Sequence, residues 1–208
     1  MTSIIKVNNI HSSAGNSALT IASNGDTTFN GTVTGAGSMV KLLDATISSA
    51  VSEYDITSTY INSTYDTYII YAEFLPANDN VYLYMRVFVG GVVQTGSIYG
   101  YETAAMSSSA YDNQDSTTRL CSVSHGQMGN ATGEGVTLNA TLQNVNSTTR
   151  PFSITGMSNI SNTGGSPNSS TFAGQLIPAN AANVVNGLSL YMSGGNIANG
   201  SVKLYGVK

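Results

Sequence analysis

The chain has 208 residues, a formal net charge of -4, and only 9% charged residues against 41% hydrophobic ones. Its seven Lys and Arg are spread along the whole length and form no basic stripe to neutralise phosphates, which argues against a nucleic-acid partner. No apolar run approaches the ~20 residues that span a bilayer, so no membrane insertion is expected.

Ser, Thr and Asn make up about a third of the chain, so hydroxyls and amides, more than charges, must wet its surface. Cys121 is the only cysteine. Without an intrachain disulfide or a thiolate metal cluster, stability must come from packing or from other subunits. The opening "MTSIIKVNNIHSSAG" lacks the apolar core and cleavage site of a signal peptide, and the expectation is synthesis in the cytoplasm without export.

In residues 1–37 the apolar side chains come singly or in pairs: Ile4, Ile5, Val7 and Ile10, then Leu19 and Ile21, then Phe29 and Val33. Asn24-Gly25 is a type I′ turn signal, so "ALTIAS" and "TTFNGTV" are expected to form a hairpin or one step of a winding ribbon. A two-stranded element is marginal in water. The arm is therefore expected to bury its thin apolar edge against identical copies of itself, in a homotrimer; the alternative is a flexible leader of low hydrophobicity. The small residues of "TGAGS", from Thr34 to Ser38, read as a hinge before a domain covering 38–208.

From residue 40 onward, short runs of period two, or of β-branched and aromatic residues, alternate with Gly, Asn and Ser clusters. They predict strands over 40–47, 66–75, 81–89, 97–103, 118–123, 135–143, 152–157, 170–177, 187–192 and 201–207. In "VYLYMRVFV", Val81, Leu83, Met85, Val87 and Val89 fall on one face and Tyr82, Tyr84, Arg86 and Phe88 on the other. No long amphipathic helix competes. The class is all-β, and ten strands without internal repeats fit a jelly-roll-like two-sheet β-sandwich better than a propeller.

Residues able to carry catalysis are few. His11 lies in the arm, and His125 follows Cys121 by four residues without the third, orienting group of a nucleophilic triad. Ser3 with Lys6, and Ser38 with Lys41, have Ser-X-X-Lys spacing but no helix to bring the pair together. The acids Glu53 and Asp55, Asp112 and Asp115, and Glu102 and Glu134 are candidate glycosidase pairs only if the fold sets them across a cleft. "YDNQDS" and "ANDN" offer hard oxygens but not the pattern of an EF-hand, and the Gly-rich stretches lack a phosphate-loop lysine. No cofactor, metal or catalytic residue is predicted.

Tyrosine is over-represented, with twelve Tyr and no Trp. Rings beside amides and carboxylates stack on sugars and bond their hydroxyls, which makes Tyr99, Tyr101, Tyr111, Asp112, Asn113 and Gln114 a candidate glycan-reading surface. The other reading is that these tyrosines pair across strands at sheet faces and interfaces.

Three stretches carry a family resemblance. "IIKVNNIHSSAGNSALTIASNGDTTFNGTVTG" resembles the N-terminal segment of tail-fibre-like and other appendage proteins of marine tailed bacteriophages. "STYDTYIIYAEFLPANDNVYLYMRV" resembles their central hairpin, and "GGNIANGSVKLYGVK" their closing strand. Residues 103–149 match nothing in that pattern. The resemblance implies a non-enzymatic, trimeric structural protein of the virion, with the arm near its attachment to other tail or capsid proteins and the sandwich outward; together with the tyrosine surface, the expected contact is a host surface glycan. A capsid decoration or cement protein without a ligand is the alternative, and a carbohydrate-active enzyme a third.

Overall fold

A computed structural model describes residues 8–11, 14–29, 39–106 and 110–207. The arm positions Ile4, Ile5, Val7 and Val33 lie outside the described residues. The chain divides into two units, 1–38 and 39–208, each treated by itself.

In the first unit β1 (Asn9–His11), β2 (Ser17–Ile21) and β3 (Thr27–Phe29) form an antiparallel meander with β2 in the middle. The expected hairpin is β2–β3, and β1 adds a third strand. Its turn differs from the expected type I′, because only Gly25 of the Asn24-Gly25 pair takes a positive φ, 90°. Asn24 is held instead by its own side chain, whose Oδ1 accepts the Asp26 N–H at 3.1 Å. His11 donates from Nδ1 to the Gly15 carbonyl at 3.0 Å and so belongs to the β1–β2 connection.

The register sets Leu19 opposite Ile10 on one side and opposite Phe29 on the other. One face of the meander therefore carries an apolar row across all three strands. Among the described residues nothing covers its ends: Ile10 is 51% and Phe29 58% exposed, with Leu19 half-buried between them.

The second unit holds β4 (Met39–Ile47), β5 (Glu53–Ile56), β6 (Thr67–Pro76), β7 (Leu83–Val89), β8 (Val92–Val93), β9 (Tyr99–Ala105), β10 (Tyr111–Thr117), β11 (Cys121–Ser122), β12 (Gly135–Gln143), β13 (Ser153–Ser161), β14 (Pro167–Leu176), β15 (Val185–Met192) and β16 (Ile197–Val207). Eight of them form an antiparallel sheet in the order β10-β9-β14-β13-β12-β6-β16-β4. A second antiparallel sheet runs β11-β7-β15-β5, with β8 also on β7.

Period-two alternation buries one face of each sheet. Tyr68, Ile70, Leu138, Leu142, Ile154, Val202 and Leu204 from the large sheet share one hydrophobic core with Ile56, Leu83, Met85, Val87, Leu188 and Leu190 from the small one. The unit is a β-sandwich. As the alternation in "VYLYMRVFV" predicts, Leu83, Met85 and Val87 are buried while Tyr84, Arg86 and Phe88 face outward, half-buried.

The predicted strand 118–123 contracts to Cys121–Ser122, which pairs with Met85 and Tyr84 of β7. Here the chain passes over β14 so closely that a Cβ on Gly174 would overlap the Leu120 carbonyl. β10 is an edge strand whose side chains are almost all polar, and polar edges are how sheets resist further pairing.

Candidate functional site

The outer face of the small sheet is built by alternation along β7 and by its register with β15. Tyr84 sits opposite Tyr191 and Phe88 opposite Gly187, where the absence of a side chain leaves room for the Phe88 ring. Tyr82 stacks on Tyr84 at 6.0 Å with the rings 3° from parallel, and Tyr84 meets Tyr191 edge-on at 5.8 Å. Two of the chain's three arginines join this cluster. Arg86 lies 4.5 Å over the Tyr191 ring and donates from Nε to the Thr118 carbonyl at 2.9 Å. Arg119 lies 4.5 Å over Tyr84 and 5.2 Å over Tyr101, a cation held between two aromatic faces.

Tyr101 comes from β9 of the large sheet, and its hydroxyl closes the line. It receives Arg119 Nη2 at 2.7 Å and Nε at 3.1 Å, and donates to Asp112 Oδ2 at 2.6 Å. Asp112 Oδ1 in turn accepts the Gln114 side-chain amide at 2.8 Å. Burial, aided by the Asp112 contact, pushes the Tyr101 phenol well above its ordinary range, against the opposing pull of Arg119. Burial also works to raise the Asp112 carboxyl, but the bonds from Tyr101 and Gln114, with Arg119 beyond, hold it below its usual value.

A concavity of about 410 Å³ opens over these groups, lined by Tyr82, Tyr84, Tyr111, Asp112 and Arg119. Ser122, Ser124 and His125 complete its wall. Both serine hydroxyls donate to loop carbonyls, Ser122 to Ser124 at 2.9 Å and Ser124 to Gly126 at 2.7 Å, which leaves their oxygens able to accept. The His125 backbone N–H is fixed by Ser170 Oγ at 3.1 Å.

The sequence-predicted site residues separate. Tyr101 is buried in the core and meets the site only through its hydroxyl, which corrects its placement on a ligand-reading surface, while Tyr111 and Asp112 reach the concavity and Gln114 supports it from behind Asp112. Tyr99 does not: it is fully buried, its hydroxyl taking the Val87 N–H at 3.1 Å and donating to the Gln94 carbonyl at 2.8 Å. This corrects its assignment to a surface, because alternation along β9 turns Tyr99, with Tyr101 and Thr103, to the buried face. Asn113 is opposite Glu102 in the register, whereas Asp112 and Gln114 are opposite Thr103 and Tyr101. It therefore lies on the other face of the edge strand, beside Asp115 in a separate groove.

The remaining chemical candidates resolve into local roles. Cys121 is fully buried, and burial pushes its thiol far above the ordinary range, so the thiolate a nucleophile needs is not formed. Glu102 is on β9 and Glu134 directly precedes β12, with β14 and β13 between, a separation of at least about 14 Å at 4.8 Å per strand. That exceeds the spacing a glycosidase pair requires. In "ANDN", Asp79 Oδ1 accepts the Asn130 N–H at 2.9 Å, and the Asn80 carbonyl accepts Gln127 Nε2 at 2.8 Å, so these oxygens tie two loops together. Arg119, Ser122 and Ser124 were absent from the sequence-predicted set; the available signal was the rarity of arginine in a tyrosine-rich chain.

Comparison with protein-family models, with curated proteins and with solved structures gives no match.

Proposed function

We propose that the chain is a non-enzymatic structural protein of a bacteriophage virion, a homotrimeric fibre- or spike-like appendage that contacts the host surface. The observation that carries this reading is the row Ile10, Leu19 and Phe29 across the three-stranded meander, whose two ends are exposed. A sheet this small cannot bury its own apolar face, and a symmetric assembly of identical arms supplies the missing surface. The motif resemblance of the arm, the central hairpin and the closing strand supports the same assignment. So does the path of the chain, which from β4 to β7 alternates between the large and small sheets, in the manner of a jelly-roll-like winding.

On this reading the arm joins the protein to other virion components, and the sandwich presents the tyrosine and arginine cluster outward. Weak contacts at each site are multiplied by the copies in the assembly. A capsid decoration or cement role is favoured by one feature. The outer face of the large sheet is broad and nearly uncharged at its centre, with Thr137, Asn139, Thr155 and Thr171 around the exposed Met157.

Sedimentation of the full chain tests the assembly: a trimer is expected, and removal of residues 1–38 should lower the mass toward that of one subunit. A full chain that sediments as a monomer would sink the reading. Binding to bacterial cells is expected from the appendage, and binding to empty capsids alone would favour decoration.

A further inference from the structure

We infer that the concavity over Tyr84 and Arg119 binds a carboxylate-bearing sugar, with Arg119 reading the carboxylate and Tyr111 and Tyr82 offering rings to the pyranose. This rests on the reading of the protein as a surface-contacting appendage and names the chemistry of the surface it contacts.

Arginine has five N–H donors in a planar fork. Arg119 spends two on the Tyr101 hydroxyl, and the other three have no protein partner among the described residues. The fork is already oriented by the Tyr84 and Tyr101 rings, so little side-chain entropy is lost when it is engaged.

The chain has eleven acidic residues, yet none forms an ion pair with this cation; among the described residues the ion pair is Lys41 with Asp44. Asp112, the nearest carboxylate, reaches Arg119 only through the Tyr101 hydroxyl, and both its oxygens are engaged by Tyr101 and Gln114. A flat guanidinium with free parallel donors is matched by an incoming carboxylate in a bidentate pair.

The surroundings set the rest of the ligand. Tyr111 is 68% exposed at the rim, and Tyr82, stacked on Tyr84, lines the same concavity, giving aromatic faces for a sugar ring. The half-buried His125 on the same wall offers its imidazole to a hydroxyl group. The volume of about 410 Å³ falls within the range of small-ligand sites. A dianionic phosphate fits less well, since one guanidinium faces it and the Asp112 charge opposes it. A singly charged uronic or sialic acid meets both conditions.

The test is an array of carboxylate-bearing glycans, each printed beside its carboxyl-reduced neutral counterpart, probed with the full chain and with the Arg119→Lys and Tyr111→Ala variants. The acidic member of a pair is expected to bind at least about tenfold better, and Arg119→Lys, which keeps the charge but loses the fork, to lose that preference. Tyr111→Ala, at an exposed ring, should weaken binding while leaving thermal unfolding unchanged. Equal binding of acidic and neutral members, or binding unaltered in both variants, would overturn the inference. Absence of any glycan signal from a trimer that still coats bacterial cells would overturn the inference and leave the appendage reading standing. A monomer that coats no cells would remove the reading itself.

Discussion

Tyr101 donates its hydroxyl proton to Asp112 across 2.6 Å while the same oxygen takes two N–H groups from Arg119. One phenol thus links an anion and a cation that do not touch directly.

Acid stability follows from this bond. The Asp112 carboxyl is held below 3.8 in the fold, so its contribution is present above that pH and is lost as pH falls through the lower folded value. Compared with Asp112→Asn, the wild type should be more stable at neutral pH, by no more than about 1 kcal/mol because the carboxylate is largely solvated. That advantage should shrink below pH 3.8, as read by urea unfolding at several pH values. An advantage independent of pH would refute it.

The opposite limb belongs to Tyr99. Burial raises its phenol from 10.0 to about 12, so its contribution is complete below pH 10.0 and is lost as pH rises toward 12. Tyr99→Phe leaves the Val87 N–H and the Gln94 carbonyl without their partner, at a cost of about 1–3 kcal/mol at neutral pH. The gap between wild type and variant should narrow above pH 10.0, and a constant gap would refute the assignment.

Gly174 tests the crossing of the 120–121 segment over β14. Gly174→Ala places a methyl against the Leu120 carbonyl, which must move. The expected loss is about 1–3 kcal/mol in denaturant unfolding, as for other overpacked sites. An unchanged midpoint would mean that the crossing is looser than described.

In the arm, Ile10→Ser and Phe29→Ser remove two members of the exposed row without touching the sandwich core. The double variant should shift from trimer to monomer by light scattering, with the principal melting transition retained. Persistence of the trimer would place the assembly contacts in the sandwich.

The larger strands were legible because burial imposes period two, and "VYLYMRVFV" shows its two faces in the letters. Gly135–Gln143 falls where its alternation puts it. β10 was hidden, since an edge strand made of Tyr-Asp-Asn-Gln-Asp-Ser-Thr has no apolar face to announce it. β5 carries its signal only in Tyr54 and Ile56, too short a run to register. The candidate site was half-legible for the same reason. Tyr101 and Asp112 are eleven residues apart in sequence and meet because β9 and β10 pair, while Arg119 arrives from a connection with no periodicity at all. Tyr99 and Tyr101 look alike in sequence; what separates them is that one ring ends beneath β7 and the other at the sheet's margin.

The strand Ile197–Val207 pairs with β6 on one side and β4 on the other, so β4 joins the large sheet only through it. A ribosome releases those residues after every other strand of the unit, and until then the earliest strand has no neighbour to zip against. Closure of the sandwich therefore waits for this strand, and a product stopped before it would leave the facing edges of β6 and β4 unpaired and open to aggregation.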